Sequence, residues 1–329
     1  RDNIYKARIK ILVKAEGQRY IDEVEAEYQQ ILTVDGAPHT IAQSELDRVT
    51  ACFVPPASRV GPLPALTNPV AAPVDDKDYT RWLQQNVAAH KNPLLRSVTL
   101  SFKRLGYSPG DATGDQLDLS ADLADRYSAG ETRVTHDQNL VLPWVRADEL
   151  PALYAEAKAA GLARANIRLL TDMIVCPGGD FCSLANARSL PISEAISQRY
   201  QDMDELHDIG EVDVHMSGCI NSCGHHHSAH IGILGVDKDG QEWYQVTLAG
   251  SDGSNLSGPA SIGKVVGPSF SAAEVPEVIE AVLDTYRATR TSGEAFIDTL
   301  RRVGQDPFKL AANAARTSTA RAPKAAAEA

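Results

Sequence analysis

The chain has 329 residues, of which 43% are hydrophobic and 23% are charged, values that are typical of a globular protein. Its formal net charge of −11 argues against broad binding to nucleic acid or to an anionic membrane surface, and we expect neither partner. No apolar run approaches the ~20 residues that a membrane-spanning helix needs. Five cysteines are too few for a disulfide scaffold, and we expect a cytoplasmic protein of about two domains.

The first part of the chain is predicted to be helical and to end in a connector. Apolar residues recur at helical spacing over residues 1–32. Six prolines fall within 54–73, a density that disfavours a regular helix and predicts an extended linker. We therefore predict a domain boundary there, with residues 1–65 forming a helical remnant of a preceding domain plus this linker.

The central part of the chain is predicted to mix helices and strands. A helix is expected over 76–90, and Asp148 is expected to cap a second helix that ends at Gly161. Alternating or continuous apolar patterns predict strands at 97–103, 132–136 and 139–145. This mixture indicates an α+β or α/β fold.

The last part of the chain is predicted to continue this pattern. Strands are expected at 165–170 and 211–216, followed by a hairpin of 229–236 with 242–248. Ser271 and Glu274 have the spacing of a capping box, which predicts a helix that runs to about residue 290. Residues 311–329 are rich in alanine and lack apolar periodicity, so we predict a disordered tail.

Four of the five cysteines form two tight pairs. Five residues separate Cys176 from Cys182, and three separate Cys219 from Cys223. Four thiolates are the ligand set of an iron–sulfur cluster or of a structural zinc ion. Structural zinc sites usually have shorter spacings, and glycines beside these pairs would let backbone amides approach sulfur. The spacing favours a cluster and leaves open a zinc or lone iron–sulfur module with a structural or electron-transfer role.

The cysteine pairs carry a resemblance to the nitrite and sulfite reductase family. They read VCPGGDFCSLA over 175–185 and SGCINSCGH over 217–225. Three further stretches resemble the family in the right order, namely RVTHDQNL at 133–140, EWYQVTLAG at 242–250 and SGEAF at 292–296. The resemblance covers about residues 75–305. It implies an α+β protein, with a ferredoxin-like half-domain at 66–147 and a mixed α/β domain for siroheme and a [4Fe–4S] cluster at 148–310.

The resemblance also implies an activity and a set of site residues. Cys176, Cys182, Cys219 and Cys223 would bind the cluster, and Cys223 would also be the proximal ligand of the siroheme iron. The reaction would be the six-electron reduction of sulfite to sulfide, or of nitrite to ammonia, with a ferredoxin or a flavoprotein subunit as electron donor. The predicted cofactor contacts are Arg133, Thr135, Gln138, Asn139, Asn221 and His225.

The sequence lacks some residues that the family uses, and other conspicuous residues are assigned no function. The substrate-facing arginines and lysines of the family have no match here, so the chain resembles the C-terminal part of a reductase about twice as long. We expect the chain alone to hold the cluster but to bind substrate poorly, and the first cysteine motif favours sulfite. The histidines of 225–227 cannot all converge on one ion, because consecutive strand residues point to opposite faces. Cys52 is assigned no function.

Overall fold

The computed structural model describes residues 9–35, 41–61, 75–254 and 258–321. The chain divides into two compact units, Arg1–Pro55 and Pro56–Ala329. The described helices of the first unit are α1 (Ile9–Glu16), α2 (Gln18–Asp35) and α3 (Gln43–Ala51). The helix predicted over 1–32 is therefore confirmed from residue 9 onwards, with an interruption at Gly17, and residues 1–8 lie outside the described residues.

The second unit contains two sheets and the helices that cover them. Its helices are α4 (Ala57–Val60), α5 (Lys77–Gln85), α6 (Gly114–Tyr127), α7 (Leu150–Ala159), α8 (Leu190–Arg199), α9 (Met203–Ile209), α10 (Val275–Thr289), α11 (Phe296–Val303) and α12 (Asp306–Arg321). Its strands are β1 (Val87–Ala89), β2 (Leu95–Leu100), β3 (Arg133–Val134), β4 (Leu140–Arg146), β5 (Ile174–Val175), β6 (Val214–Ser217), β7 (Ile231–Lys238), β8 (Gln241–Leu248) and β9 (Lys264–Val265). None of the described helices is long and apolar enough to cross a membrane.

The first sheet is antiparallel and has the strand order β1-β2-β4-β3. Its core includes Trp82 of α5, Leu123 of α6 and Leu153 of α7, all with no exposed surface. Helix α6 was not predicted, although Thr113 and Gln116 form a complete capping box at its start. The predicted helix over 76–90 ends at Gln85, because the chain then enters strand β1.

The second sheet has the order β5-β6-β7-β8-β9. Strands β5, β6 and β7 are parallel, whereas β7 and β8 form the antiparallel hairpin that the sequence predicted. Helix α10 begins after Ser271 and Glu274, whose side chains are hydrogen bonded at 2.9 Å, and it ends at Thr289 as predicted. The sheet and α8, α10 and α12 enclose the larger apolar core.

The predicted strand at 165–170 is wrong. The strand that enters the first cysteine pair is β5, which contains only Ile174 and Val175. Leu169 and Leu170 are buried, so their apolar character reflects packing of a loop in the core rather than a place in the sheet. The loop is held by polar contacts, including a hydrogen bond of 3.1 Å from Asn166 to Thr171.

Two further predictions about irregular regions need correction. Within the predicted extended linker, residues 57–60 form the short helix α4, in which Arg59 is buried and donates to the Trp144 carbonyl at 3.0 Å. Residues 62–73 of the linker lie outside the described residues.

The predicted disordered tail is wrong for residues 311–321. These residues continue helix α12, in which Phe308 and Ala312, four residues apart, are completely buried. Alanine is the strongest helix former, so one short apolar stripe is enough to fix this helix on the core. Residues 322–329 lie outside the described part of the chain.

Candidate cysteine-rich cofactor site

The two cysteine pairs follow neighbouring parallel strands. Cys176 comes directly after β5, and Cys219 lies two residues beyond the end of β6. Val175 is opposite Met216 in the sheet, and the Cys176 amide extends the ladder by donating to the Met216 carbonyl at 3.1 Å. Because the carboxyl ends of parallel strands open at one edge of a sheet, the topology brings both motifs to the same place.

The two cysteine-bearing loops are joined through their backbones. The amides of Asn186 and Ala187 both donate to the Gly218 carbonyl, at 2.8 and 3.1 Å. Within the first loop, the Cys182 amide donates to the Gly178 carbonyl at 2.9 Å. The loop that carries the first pair therefore folds against the start of the loop that carries the second pair.

Glycine is required where these loops touch. A Cβ atom on Gly218 would lie 2.6 Å from the Gly178 Cα, and one on Gly224 would lie 2.1 Å from the Met216 carbonyl oxygen. Both distances are far below any normal contact of a Cβ atom. The glycines beside the cysteines thus allow close backbone packing, and one of them also supplies an amide to sulfur, since the Gly218 N–H donates to the Cys176 Sγ at 3.1 Å.

The four thiols differ in exposure. Cys219 is buried, Cys176 and Cys182 are half-buried, and Cys223 is exposed; all four are free of disulfides. Nowhere in the described residues do three or more His, Cys, Asp or Glu side chains form a group that could hold a metal ion. The structure thus brings the cysteine-bearing loops together without arranging the sulfur atoms as a ligand set, and ligation by these four residues stays a prediction.

The predicted cofactor contacts at Gln138 and Asn139 make hydrogen bonds within the protein. The Gln138 side chain accepts a hydrogen bond from the Val175 amide at 2.9 Å and donates one to the Val175 carbonyl at 3.0 Å. The Asn139 side chain donates a hydrogen bond to the Asp172 carboxylate at 2.9 Å and accepts one from the Phe102 amide at 3.0 Å. Gln138 therefore holds the residue that precedes Cys176.

Arg133 and Thr135 also have protein partners. The Arg133 guanidinium is 2.6 Å from a carboxylate oxygen of Glu131 and lies over the Trp144 ring at 5.2 Å. The Thr135 amide and hydroxyl are 2.9 and 3.2 Å from the Asn139 carbonyl oxygen. The contacts of these two residues with a cofactor stay predictions.

Asn221 and His225 lie in the turn that carries the second cysteine pair, and both are exposed. The turn is closed by hydrogen bonds from the Ser222 amide to the Cys219 carbonyl and from the His225 amide to the Ser222 carbonyl, at 3.1 and 2.9 Å. His225 adopts a left-handed backbone with φ of 56°. Both residues lie beside Cys223, and their contacts with a cofactor stay predictions.

A cavity of about 260 Å³ lies beside this turn and contains residues that the sequence did not single out. In its wall, the buried His215 Nε2 lies 2.7 Å from an Asp213 carboxylate oxygen, and the His215 Nδ1 lies 3.2 Å from the His225 carbonyl oxygen. Burial disfavours the charged imidazole, but the hydrogen bond and charge of Asp213 outweigh it, so the pKa of His215 is raised. In the sequence, the one indication of this residue is a histidine between the apolar residues Val214 and Met216 of a strand.

Asp172, which also lines this cavity, forms a buried ion pair with Lys103 behind the cavity wall. The Lys103 ammonium donates to the carbonyls of Asp137 and Met173 at 2.7 and 2.8 Å and lies 3.9 Å from Asp172. Burial raises the pKa of Asp172 to about 6, although Lys103 opposes this shift, and burial also lowers the pKa of Lys103. These contacts fix the segment that leads from Asp172 into β5.

Comparison with known proteins gives two family matches. The model described as "Nitrite and sulphite reductase 4Fe-4S domain" matches residues 168–317, and the model described as "Nitrite/Sulfite reductase ferredoxin-like half domain" matches residues 101–160. These matches confirm the predicted α+β arrangement, in which a ferredoxin-like half-domain precedes the mixed α/β domain. The limits at 65, 147 and 310 stay predictions.

Similar proteins include reductases for both anions. An assimilatory ferredoxin-dependent nitrite reductase from Haloferax mediterranei is 31% identical over 58% of this chain and 33% of its own length. A sulfite reductase [ferredoxin] 2 from Mycolicibacterium paratuberculosis is 28% identical over 92% of this chain and 48% of its own length. The solved NirA protein of Mycobacterium tuberculosis shares the fold, with a TM-score of 0.58 and 24% identity over 92% of this chain and 49% of that chain. The chain thus spans between a third and a half of these relatives.

Proposed function

This chain belongs to the nitrite and sulfite reductase family, and on that premise we propose that it is the cofactor-binding part of a siroheme- and [4Fe–4S]-dependent oxidoreductase. The reaction is the six-electron reduction of sulfite to sulfide, or of nitrite to ammonia. The observation that carries the proposal is the junction of the two cysteine loops at the carboxyl ends of β5 and β6, where the Asn186 and Ala187 amides both bind the Gly218 carbonyl.

The donor set fits a cluster bound by four thiolates. The cluster ligands would be Cys176, Cys182, Cys219 and Cys223. A cysteine thiol has three staggered positions about one bond, so loops that already touch can turn their sulfur atoms toward a common centre. The Gly218 amide at 3.1 Å from the Cys176 Sγ supplies a donor that stabilises negative charge on sulfur. Cys223 is the one exposed thiol of the four, which suits a ligand that also binds the siroheme iron.

The chain's own residues orient this site. When bound, the cluster would pass electrons from the donor and the siroheme would supply the iron atom that binds the anion. The interlocked loops hold the cysteine backbones in place, and Gln138 fixes the end of β5. The contact of 2.7 Å between His215 and Asp213 holds the His215 ring in the wall of the cavity beside the second loop.

Sulfite is the preferred substrate in this proposal, and ferredoxin the preferred electron donor. The relative named as a sulfite reductase aligns along 92% of the chain, whereas the Haloferax nitrite reductase aligns along 58%. Both names contain ferredoxin. These likenesses support the choice, and direct assay decides it.

The first experiment is anaerobic reconstitution of the chain with ferrous iron and sulfide. We expect about four iron and four sulfide per chain, and a Soret band after addition of siroheme. Zinc without iron would support a structural zinc module instead. A cluster without any uptake of siroheme would support a lone iron–sulfur protein, and either result overturns the proposal.

The second experiment measures reduction of sulfite and of nitrite by the loaded chain, with reduced methyl viologen as an artificial donor. We propose that this chain binds substrate weakly, because it has no match to the family's substrate-facing arginines and lysines. Rates equal to those of the complete Mycolicibacterium enzyme would contradict that part of the proposal. A higher rate with nitrite than with sulfite would reverse the preferred substrate.

A further inference from the structure

A second cavity, of about 390 Å³, lies among α5, α7 and the loop that follows β2. Four cationic side chains line it, and Asp78 is the one carboxylate among its lining residues. The cations are Arg81, Arg104, Lys158 and Arg164. This concentration of positive charge is unusual in a chain whose formal net charge is −11. A cavity of one sign attracts the opposite charge, so the ligand that fits here is an anion.

Two of the four cations are already paired with carboxylates. The Arg81 guanidinium lies 2.5 Å from Asp204, and the Lys158 ammonium lies 3.2 Å from Asp78. These two residues therefore contribute to the electrostatic potential of the cavity but have less capacity left for a ligand.

Arg104 and Arg164 have no carboxylate partner in the described structure. The Arg104 guanidinium lies 3.3 Å from the centre of the Tyr107 ring, and its buried Nε has no hydrogen-bond partner among the described residues. A buried donor without a partner is costly, and an oxyanion would satisfy it.

Arg164 is half-buried and donates a hydrogen bond from Nη1 to the Lys103 carbonyl at 3.1 Å. Burial lowers its pKa, with no neighbouring carboxylate to oppose the effect. A guanidinium removed from water without a counter-ion is unfavourable, and a bound anion would compensate for that cost. Arg164 thus points to the same ligand charge as Arg104, from a different part of the chain.

The size and walls of the cavity bear on the rest of the ligand. The volume is many times the ~30 Å³ that one water molecule occupies in the liquid, so there is room for more than an inorganic ion. Tyr154, Ala163 and Met203 give the cavity an apolar wall beside the cations. Most small-molecule sites combine such a wall with a few polar groups that orient the ligand.

We propose that this cavity binds a small organic anion that carries a phosphate or carboxylate group. Arg104 and Arg164 bind the oxyanion, since guanidinium groups form paired hydrogen bonds with both kinds of anion. Tyr154 and Met203 contact the apolar part. The site uses none of the cysteines and goes beyond the reductase function.

The test is calorimetric titration of the full chain at constant ionic strength with four probes. Phenyl phosphate and benzoate carry an anion on an aromatic ring, phenol lacks the charge, and inorganic phosphate lacks the ring. We expect phenyl phosphate or benzoate to bind at least tenfold more tightly than phenol and than inorganic phosphate. The tighter of the two aromatic anions identifies the anionic group. Absence of binding by both, or equal binding of phenol, overturns the proposal.

Variants locate the binding. Arg104→Gln and Arg164→Gln are each expected to weaken the tighter probe at least tenfold, and Arg104→Lys to restore only part of the affinity. Lys91→Gln removes one exposed positive charge outside the cavity and is the matched control. Arg104 is on a loop, so its variant tests the site even if Arg164→Gln does not fold. Unchanged affinity in Arg104→Gln overturns the proposal, and since no iron is needed, that failure leaves the reductase function untouched.

Discussion

The cysteine loops and the segment 133–140 both resemble the family, yet the structure uses them differently. In the cysteine loops the packing is made by backbone and glycine, which leaves the thiols unpaired with one another. In the segment 133–140 the polar side chains make hydrogen bonds to the protein, as Gln138 does with Val175. A motif can therefore contain residues that hold the backbone of a site as well as residues whose side chains are available to a ligand. The hydrogen bonds within the protein distinguish the two.

The largest effect is expected from the cysteines themselves. Cys176→Ala and Cys223→Ala should each lower the iron bound after reconstitution to less than a tenth of the wild-type content, because a cluster needs its full set of thiolates. Iron and acid-labile sulfide are measured per chain. Cys52→Ala is the control and should retain full iron content. Normal iron in Cys223→Ala would remove this residue from the ligand set.

Next in size is the change of a glycine where the second cysteine loop packs against β6. Gly224→Ala places a methyl group 2.1 Å from the Met216 carbonyl oxygen, so we expect a loss of about 3 kcal/mol in the free energy of unfolding. Urea denaturation of the metal-free chain measures it. Gly114→Ala, where no atom lies within 4 Å of the new Cβ, should change stability by less than about 0.5 kcal/mol. Equal stability of the two variants would show that the second cysteine loop is not closely packed against β6.

The third effect concerns Gln138, whose side chain either holds the end of β5 or contacts the cofactor. Gln138→Ala removes two hydrogen bonds to Val175 and should cost about 2 kcal/mol, with faster hydrogen exchange of the Val175 amide. Gln138→Glu keeps the acceptor for that amide and loses the donor, so its exchange should be less affected. If Gln138→Ala leaves Val175 exchange unchanged while siroheme uptake falls, the side chain serves the cofactor rather than the strand.

The smallest effect is a pH dependence that arises from His215. Its pKa in the folded chain is raised by Asp213, despite burial, above the ordinary value of 6.5. The ion pair therefore contributes full stability below pH 6.5 and loses it as the pH rises through the raised folded value. Asp137 and the His225 carbonyl also face the ring and act in the same direction.

His215→Gln measures this contribution. The difference in unfolding free energy between the wild type and this variant should be greater at pH 6 than at pH 9. Urea denaturation at the two pH values gives the difference, and an equal difference at both would show that the ring does not carry the charge.

The sequence alone determined the features that short stretches encode. The motifs around the cysteine pairs carried a resemblance to the nitrite and sulfite reductase family, and the comparisons confirm that family. The hairpin of β7 and β8 and the end of α10 near residue 290 were also predicted, because hydrogen bonds between residues close in the chain define them. Each depends on a few neighbouring residues and little else.

Tertiary structure decided the features that depend on distant partners. Strand β5 has only two residues and exists because β6 pairs with it from about 40 positions away. Gln138 and Val175 are 37 positions apart, and Arg164 and Lys103 are 61 apart. No local pattern records such contacts, since the free energy of a buried polar group is set by whatever the fold packs against it. The Ala-rich residues of α12 illustrate the same limit: their helix depends on burial against the core.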